Sequence, residues 1–339
     1  MVRSTKIIAV VLVVSLAMLS LWNVIIAKWA HAHNPVPGAF YRVNGRQMHI
    51  YCSGEGSPTV VIEAAASASW LAWQGVQTRL SKVTRVCTYD RSGHGWSEHR
   101  SGPRDAEAIV SELHSLLNEA DVQRPLVLVG HSAGGLYVRE YAREFPTEVT
   151  GVVLIDSSAP QQIDELPGWR ADYEKSRRDF GRQLLWQRLM VWSGLERLMG
   201  RCHDQPSKEL QYLAEQYDAL MCRPAYVGGD DSEFTDFETT CKQAGRLTTF
   251  GEKPLLVLSR DTEQESKGAS RQTIAAEKVW DREQEQSKSL SSLSWRVVAK
   301  RSGHGVQHDR LDVVLLEITR LIEYLHGNTA PPFGSTVVE

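Results

Sequence analysis

The sequence predicts an α/β fold built around a mainly parallel sheet, and three observations carry that expectation. Short, continuous apolar runs ("TVVIE", "LVLVG", "GVVLID", "PLLVL") recur along the chain, separated by longer stretches whose apolar residues follow a helical period. Strands apolar on both sides belong in a sheet covered on both faces, which strand–helix–strand crossovers produce. The chain has 339 residues, 42% of them hydrophobic, enough for one large domain with an insertion or for two domains.

The elements follow in order. Residues 7–27, "IIAVVLVVSLAMLSLWNVIIA", carry no charged side chain and as a helix would reach about 30 Å, enough to cross a bilayer. Arg3 and Lys6 precede this run, so residues 1–6 are expected in the cytoplasm and the bulk of the chain outside it, anchored to the membrane. The rival is a cleaved signal peptide ending at Ala30-His31-Ala32, which would leave a secreted protein. Its apolar region would exceed the usual ~7–15 residues, and Lys28 stands before the site. Residues 28–38, with "HNPVPG", read as a linker.

Between 39 and 158 the chain reads as the first half of a core. "FYRVNGRQMHIYCSG" is a hairpin turned at Asn44-Gly45. "PTVVIEAAAS" is a buried strand running into an Ala/Ser loop, and "TRVCTYDRSGHGWS" is a strand ending in a glycine-rich loop. Ile109, Leu113, Leu116 and Leu117 form one helical stripe within residues 105–120. Strand 126–129, a turn at Ser132, a helix stopped near Pro146 and the strand "GVVLID" complete this half. Residues 159–250 are charged, rich in Trp, Tyr and Leu, and helical in period ("LLWQRLMVWSGLERLM"). They read as a helical insertion. Residues 251–326 restore the pattern with "KPLLVLSRD", a polar helix through Trp280, "SWRVVAK" and a closing helix over 309–325. The tail, 327–339, is expected to be mobile.

The net charge of −3 excludes nothing about small substrates but argues against a nucleic-acid partner. Runs such as "EKSRRDFGR" and "DREQEQSK" mix both signs and read as solvated helix faces. The five cysteines, Cys52, Cys87, Cys202, Cys222 and Cys241, suit an exported domain with one or two disulfides and an odd thiol. They lack metal-ligand spacing, so no metal is assigned, and the pairing of Cys202, Cys222 and Cys241 stays open.

The chemistry centres on "PLVLVGHSAGG". Gly130 and Gly134 flank Ser132 at ±2 where a strand turns sharply into a helix, a turn that pushes the hydroxyl clear of the backbone. With "YDRSGHGWS" upstream, "VVLIDSSAP" downstream and "RSGHGVQHD" near the end, residues 38–326 resemble the α/β-hydrolase superfamily. "MHIYCSGEGSPTVVIEA" is similar to a group of bacterial exported or anchored hydrolases of poorly defined substrate. The resemblance implies a mainly parallel eight-stranded sheet, with residues 159–250 as a helical cap. It makes Ser132 the nucleophile and His304, in the loop before the last helix, its base; His308 is the local rival. His94 and His131 are expected to shape loops or the pocket floor.

The third member of the triad orients the imidazole and stabilises its charged form. The superfamily offers two places for it. One is the loop after the strand that follows the insertion, with Asp261 and Glu263, although Arg260 stands where that loop usually has glycine. The other is the end of the strand after the nucleophile helix, at Asp156. Both stay open at this point. The oxyanion donors implied are the backbone N–H groups of Ala133 and Ala66, the latter in an all-alanine loop without the usual glycine. Trp70 and Trp73 follow that loop, either lining an apolar pocket or packing in the core.

Members of this superfamily that dehalogenate or open epoxides place aspartate at the turn, so Ser132 points to acyl transfer to water. A small-molecule carboxylic ester is the default substrate; amides, peptides and lactones are alternatives, as are perhydrolase chemistry and a catalytically silent binding protein. No cofactor is called for. By resemblance to the fold, Cys52 and Cys87 lie on the second and fourth strands, side by side and antiparallel, close enough to form a disulfide.

Overall fold

The computed structural model describes residues 2–33, 36–202, 220, 230–329 and 334–338. The N-terminal helix α1 (Val2–His33) continues through the first residues of the expected linker, and within it Lys6–Ala30 is long and apolar enough to cross a membrane. The hairpin follows: β1 (Ala39–Val43) and β2 (Arg46–Ser53) are joined by Asn44 at φ 48° and Gly45 at φ 80°. Two left-handed residues in succession make the turn whose twist matches that of the paired strands.

The remaining strands are β3 (Thr59–Glu63), β4 (Val86–Tyr89), β5 (Leu126–His131), β6 (Val149–Ile155), β7 (Leu255–Ser259), β8 (Ser294–Ala299) and β9 (Gly334–Val338). They form one sheet in the order β1-β2-β4-β3-β5-β6-β7-β8-β9, parallel from β4 onward, with β2 antiparallel to β4. Residues of β3, β5 and β7 are buried on both faces. Alternate residues serve opposite layers, as a period of two requires. Val60, Ile62, Val127, Val129, Leu256 and Leu258 pack with α2 (Gln74–Leu80) and α13 (Leu311–Leu325). Val61, Leu128 and Val257 pack against the other pair, α3 (Ala106–Glu119) and α4 (Gly134–Glu144). The stripe Ile109, Leu113, Leu116 and Leu117 is buried on α3, whose start is capped by the Asp105 carboxylate accepting from Ala108 N.

The expected strand count is corrected. The sheet has nine strands instead of eight, because residues beyond the closing helix pair with β8 from Trp295–Gly334 to Ala299–Val338. Without that strand, β8 would leave a row of unpaired backbone groups at the sheet edge. The β-branched run Thr336-Val337-Val338 suits the extended backbone that covers it. Cys52 and Cys87 are register partners on β2 and β4 and are joined by a disulfide, as the resemblance implies. Cys202 is disulfide-bonded as well, and Cys241 is a buried free thiol; Cys222 lies outside the described residues.

Between β6 and β7 the regular elements among the described residues are helices: α5 (Gln162–Glu165), α6 (Trp169–Trp192), α7 (Leu195–Leu198), α8 (Asp230–Thr235) and α9 (Phe237–Ala244). β7 is followed by α10 (Thr262–Glu265) and α11 (Arg271–Ser287), and α12 (Val306–Asp309) precedes α13. After β4 the chain crosses back over β3 to place β5 on its other side. The strand order reverses there, opening a crevice at the carboxyl ends of β3 and β5. The Ala64–Ala66 loop and Ser132 both emerge at that crevice.

Candidate active site

Ser132 stands between β5 and α4 with φ 55°, a left-handed conformation costly for any residue with a Cβ. The surroundings over-determine it. Its N–H donates to Ile155 O at 3.2 Å, and its carbonyl accepts from Gly135 N at 3.0 Å and Ser158 N at 2.9 Å. The flanking glycines are needed for close approach. A Cβ on Gly130 would come within 2.7 Å of Gly134 O, and one on Gly134 within 2.3 Å of Glu63 O. Helix, strand and the loop after β3 touch through bare backbone.

His304 lies in the loop between β8 and α12, half exposed, with its Nδ1 2.6 Å from Asp156 Oδ2. Asp156 directly follows β6, at φ 39°, and is fully buried. Its Oδ1 accepts from Trp280 Nε1 at 2.8 Å and Arg260 N at 3.3 Å, and its Oδ2 also accepts from Arg260 Nη1 at 2.5 Å. Burial alone would raise this carboxyl. The His304 hydrogen bond and the Arg260 charge prevail and hold it at about 2, so it is an anion at neutral pH. His131 supports the loop from below, donating from Nε2 to His304 O at 2.8 Å. Burial and the neighbouring His304 lower His131 to about 4, outweighing the bond to His304 O, so His131 is a neutral imidazole at neutral pH.

Of the acids left open by the sequence, the structure brings Asp156 to His304 and takes Asp261 and Glu263 elsewhere. Asp261 caps α10 by accepting from Gln264 N, and also accepts from Arg301 N at 3.2 Å and Lys300 Nζ at 3.3 Å. Glu263 is exposed and pairs with Lys300 at 2.7 Å. His308 sits one turn beyond His304, its N–H closing onto Gly305 O. Trp70 and Trp73 are packed in the interior, both 1% exposed.

Sequence reasoning noticed Arg260 only as a misfit. The structure makes it a bridge: its Nη1 meets Asp156, its Nε and Nη2 meet Glu277, and its guanidinium lies over the Trp280 ring at 4.5 Å. Trp280 and Glu277 lie on α11, and no local signal in that polar helix distinguished them. A cavity of about 290 Å³ joins these pieces. Ser132, His304, Arg260 and Trp280 line it from the sheet side, and Leu166 and Trp169 from the insertion.

A second buried cluster lies behind the loop that carries Ala66. The turn Ala65–Ala68 closes with Ala68 N donating to Ala65 O at 3.1 Å, and Ser67 takes φ 61° where glycine is usual. Arg91 holds the entry to that turn, donating to Ala64 O at 3.0 Å and Ala65 O at 2.7 Å. The same guanidinium meets Glu63 at 2.6 Å and Glu233, on α8, at 2.8 and 3.0 Å. His94 Nδ1 lies 3.5 Å from Glu233. Burial would raise Glu233, but Arg91 and His94 outweigh it and lower the carboxyl to about 2. The insertion is thus pinned to the loop after β3 through one fully buried arginine.

A family model described as "Alpha/beta hydrolase family" matches residues 52–315. The uncharacterized protein YqjL of Bacillus subtilis is 26% identical over 279 residues, covering 82% of this chain and 89% of its own. Among solved structures, a thermophilic esterase from Thermogutta terrifontis superposes with a TM-score of 0.61 at 18% identity, over 86% of this chain and all of that one. A putative lipase from Acinetobacter baumannii gives a TM-score of 0.58 at 15% identity, over 91% of this chain and 97% of that one. An epoxide hydrolase also shares the architecture, with a TM-score of 0.52 at 15% identity over 85% of this chain and 98% of that one, so the likeness at these identities is one of fold. With the family model spanning most of the sheet and the glycine-flanked turn in its place, the chain belongs to the alpha/beta hydrolase family.

Proposed function

We propose that the protein is a serine hydrolase that cleaves a small carboxylic ester through an acyl-serine intermediate. The observation that carries this is the 2.6 Å bond from His304 Nδ1 to the buried Asp156 carboxylate, in a cavity shared with the strained Ser132. With Nδ1 committed to Asp156, Nε2 is the nitrogen left to take the Ser132 proton. Ser132 Oγ then bonds to the substrate carbonyl carbon, and the proton passes from His304 to the departing alcohol. Water enters by the same route in reverse, leaving the free acid and regenerating Ser132. Asp156 keeps the imidazole oriented and stabilises its charged form. The N–H groups of Ala133 and Ala66 are the oxyanion donors in this reading, with Arg91 bracing the Ala66 loop. The insertion between β6 and β7 serves as a cap that supplies one wall of the substrate cavity.

The same proposal keeps α1 attached as a membrane anchor, with the catalytic domain on the extracytoplasmic side. Its support is an apolar stretch of membrane-spanning length that stays exposed over most of its surface.

The deciding experiment is labelling with a fluorophosphonate probe, followed by turnover of nitrophenyl esters of increasing chain length. The wild-type chain should be labelled and active. Ser132→Ala, which removes only the attacking oxygen, should be neither, while retaining its circular dichroism spectrum. Turnover that survives in Ser132→Ala would overturn the serine mechanism.

A further inference from the structure

Asn23 lies inside the apolar run of α1, yet it is completely buried, and the insertion satisfies its amide at both ends. Its Nδ2 donates to Val191 O at 2.8 Å, and its Oδ1 accepts from Arg197 Nε at 2.8 Å. One turn earlier, the Leu19 carbonyl lies against Gly194, where a Cβ would come within 2.9 Å of it. The corner between α6 and α7 is therefore seated on α1 at the level of residues 19–23. Along a helix, those residues stand about 6–12 Å short of the end of the apolar run at Ala27. A bilayer that covers the run reaches the corner too.

The corner has the surface such a position demands. Leu185, Trp186, Leu189 and Trp192 fall on one stripe of α6 and are 59%, 65%, 56% and 60% exposed. Leu198 and Met199 continue the patch at 64% and 46% exposed. A contiguous apolar patch of this kind is unusual on a surface that faces water. Tryptophan and leucine beside an emerging transmembrane helix match the chemistry of the membrane interface, where an amphipathic helix buries its apolar face about 5–10 Å deep. Arg182 and Arg201, which flank the patch in sequence, are both strongly exposed.

We propose that the α6–α7 corner is immersed in the interfacial layer of the bilayer that α1 crosses, so that the cap carries a second, lipid-facing membrane contact. This rests on the reading that α1 remains in the membrane. The occupant of the patch is lipid, because the patch adjoins a helix most of whose large side chains from Ile7 to Leu21 are themselves apolar and exposed. α6 then links two surfaces: its last turns meet lipid, and its first residue, Trp169, lines the substrate cavity about 35 Å away along the helix.

The test uses the full-length protein in phosphatidylcholine vesicles whose acyl chains carry bromine close to the headgroup, read by quenching of tryptophan emission. The Trp186→Phe/Trp192→Phe variant changes only exposed rings for similar ones, so circular dichroism should match wild type. The wild type should show a quenched component that this variant loses, and Trp22→Phe should remove a separate component belonging to α1. If the emission of Trp186 and Trp192 survives in brominated vesicles while Trp22 is quenched, the proposal is overturned and the anchor stands. Absence of quenching at Trp22 as well removes the anchor and the proposal together. Unquenched emission with dimers on chemical crosslinking would assign the patch to a second copy of the chain, and that also overturns the proposal.

Discussion

Asp156 takes its hydrogen-bond donors from His304, Trp280 and Arg260, each arriving from a different part of the chain. Replacing it by asparagine preserves the shape but favours the wrong histidine tautomer. Asp156→Asn should therefore lower ester turnover on the order of 10⁴-fold. Asp261→Asn and Glu263→Gln, whose partners are Lys300 and the Arg301 amide, should stay close to wild type in the same assay. Equal losses at Asp156 and Asp261 would break the assignment. The depressed Asp156 carboxyl also sets a pH dependence. Its stabilising contribution is fully present above the ordinary value of 3.8 and is lost as pH falls through about 2. Arg260→Gln removes a charge that holds the carboxyl down, so acid unfolding should begin at higher pH in that variant. Equilibrium unfolding against pH checks this.

Among elements, two junctions hold the site's framework. The disulfide between β2 and β4 closes a loop across 35 residues of sequence, and restriction of the unfolded chain makes it worth about 3–4 kcal/mol. Cys52→Ser should lose that much in denaturant titration under oxidising conditions. The other junction is Arg91 with Glu63 and Glu233. A buried ion pair contributes little net stability, yet removing one partner strands the other charge at a cost of roughly 3–5 kcal/mol. Glu233→Ala should accordingly destabilise the fold more than Glu233→Gln, whose amide still accepts from Arg91. Turnover should fall in both, because the arginine that braces the Ala64–Ala65 carbonyls loses its charged partner on α8. Unchanged turnover in a folded Glu233→Ala variant would dissociate α8 from the proposed oxyanion role of the loop after β3.

For the molecule as a whole, α1 is joined to the rest of the fold at two levels. Asn23 meets the insertion, and Ala30 packs in a cluster with Trp70, Leu71 and Trp96. On the proposed reading of α1 as a membrane anchor, a helix seated this firmly orients the domain instead of tethering it loosely. Apolar burial then holds the protein, so neither high salt nor alkaline carbonate should release it from membranes. Membrane-fraction blotting after each wash, with N-terminal sequencing of the mature chain, tests this. A soluble form beginning at His33 would show cleavage instead.

The strands and the Ser132 turn were legible from sequence because each is specified by its own neighbours. Short apolar runs rich in β-branched residues and bounded by turn residues suit interior strands, and the glycines at ±2 of Ser132 answer close approaches of 2.3–2.7 Å built into one turn. His304 was legible through its position before the closing helix. Which carboxylate meets His304 was not, because Asp156 and Asp261 lie at the carboxyl ends of the adjacent strands β6 and β7 and look alike locally. Only the packing of α11 against β7 decides between them: it brings Trp280 to Asp156 and pairs Glu277 with Arg260, while Lys300 draws Asp261 away. The ninth strand and the seat of Asn23 escaped for the same reason. Local pattern determines what an element is, but edge pairing and a buried amide's partners depend on residues brought close by the path of the whole chain, 168 positions away in the case of Asn23 and Val191.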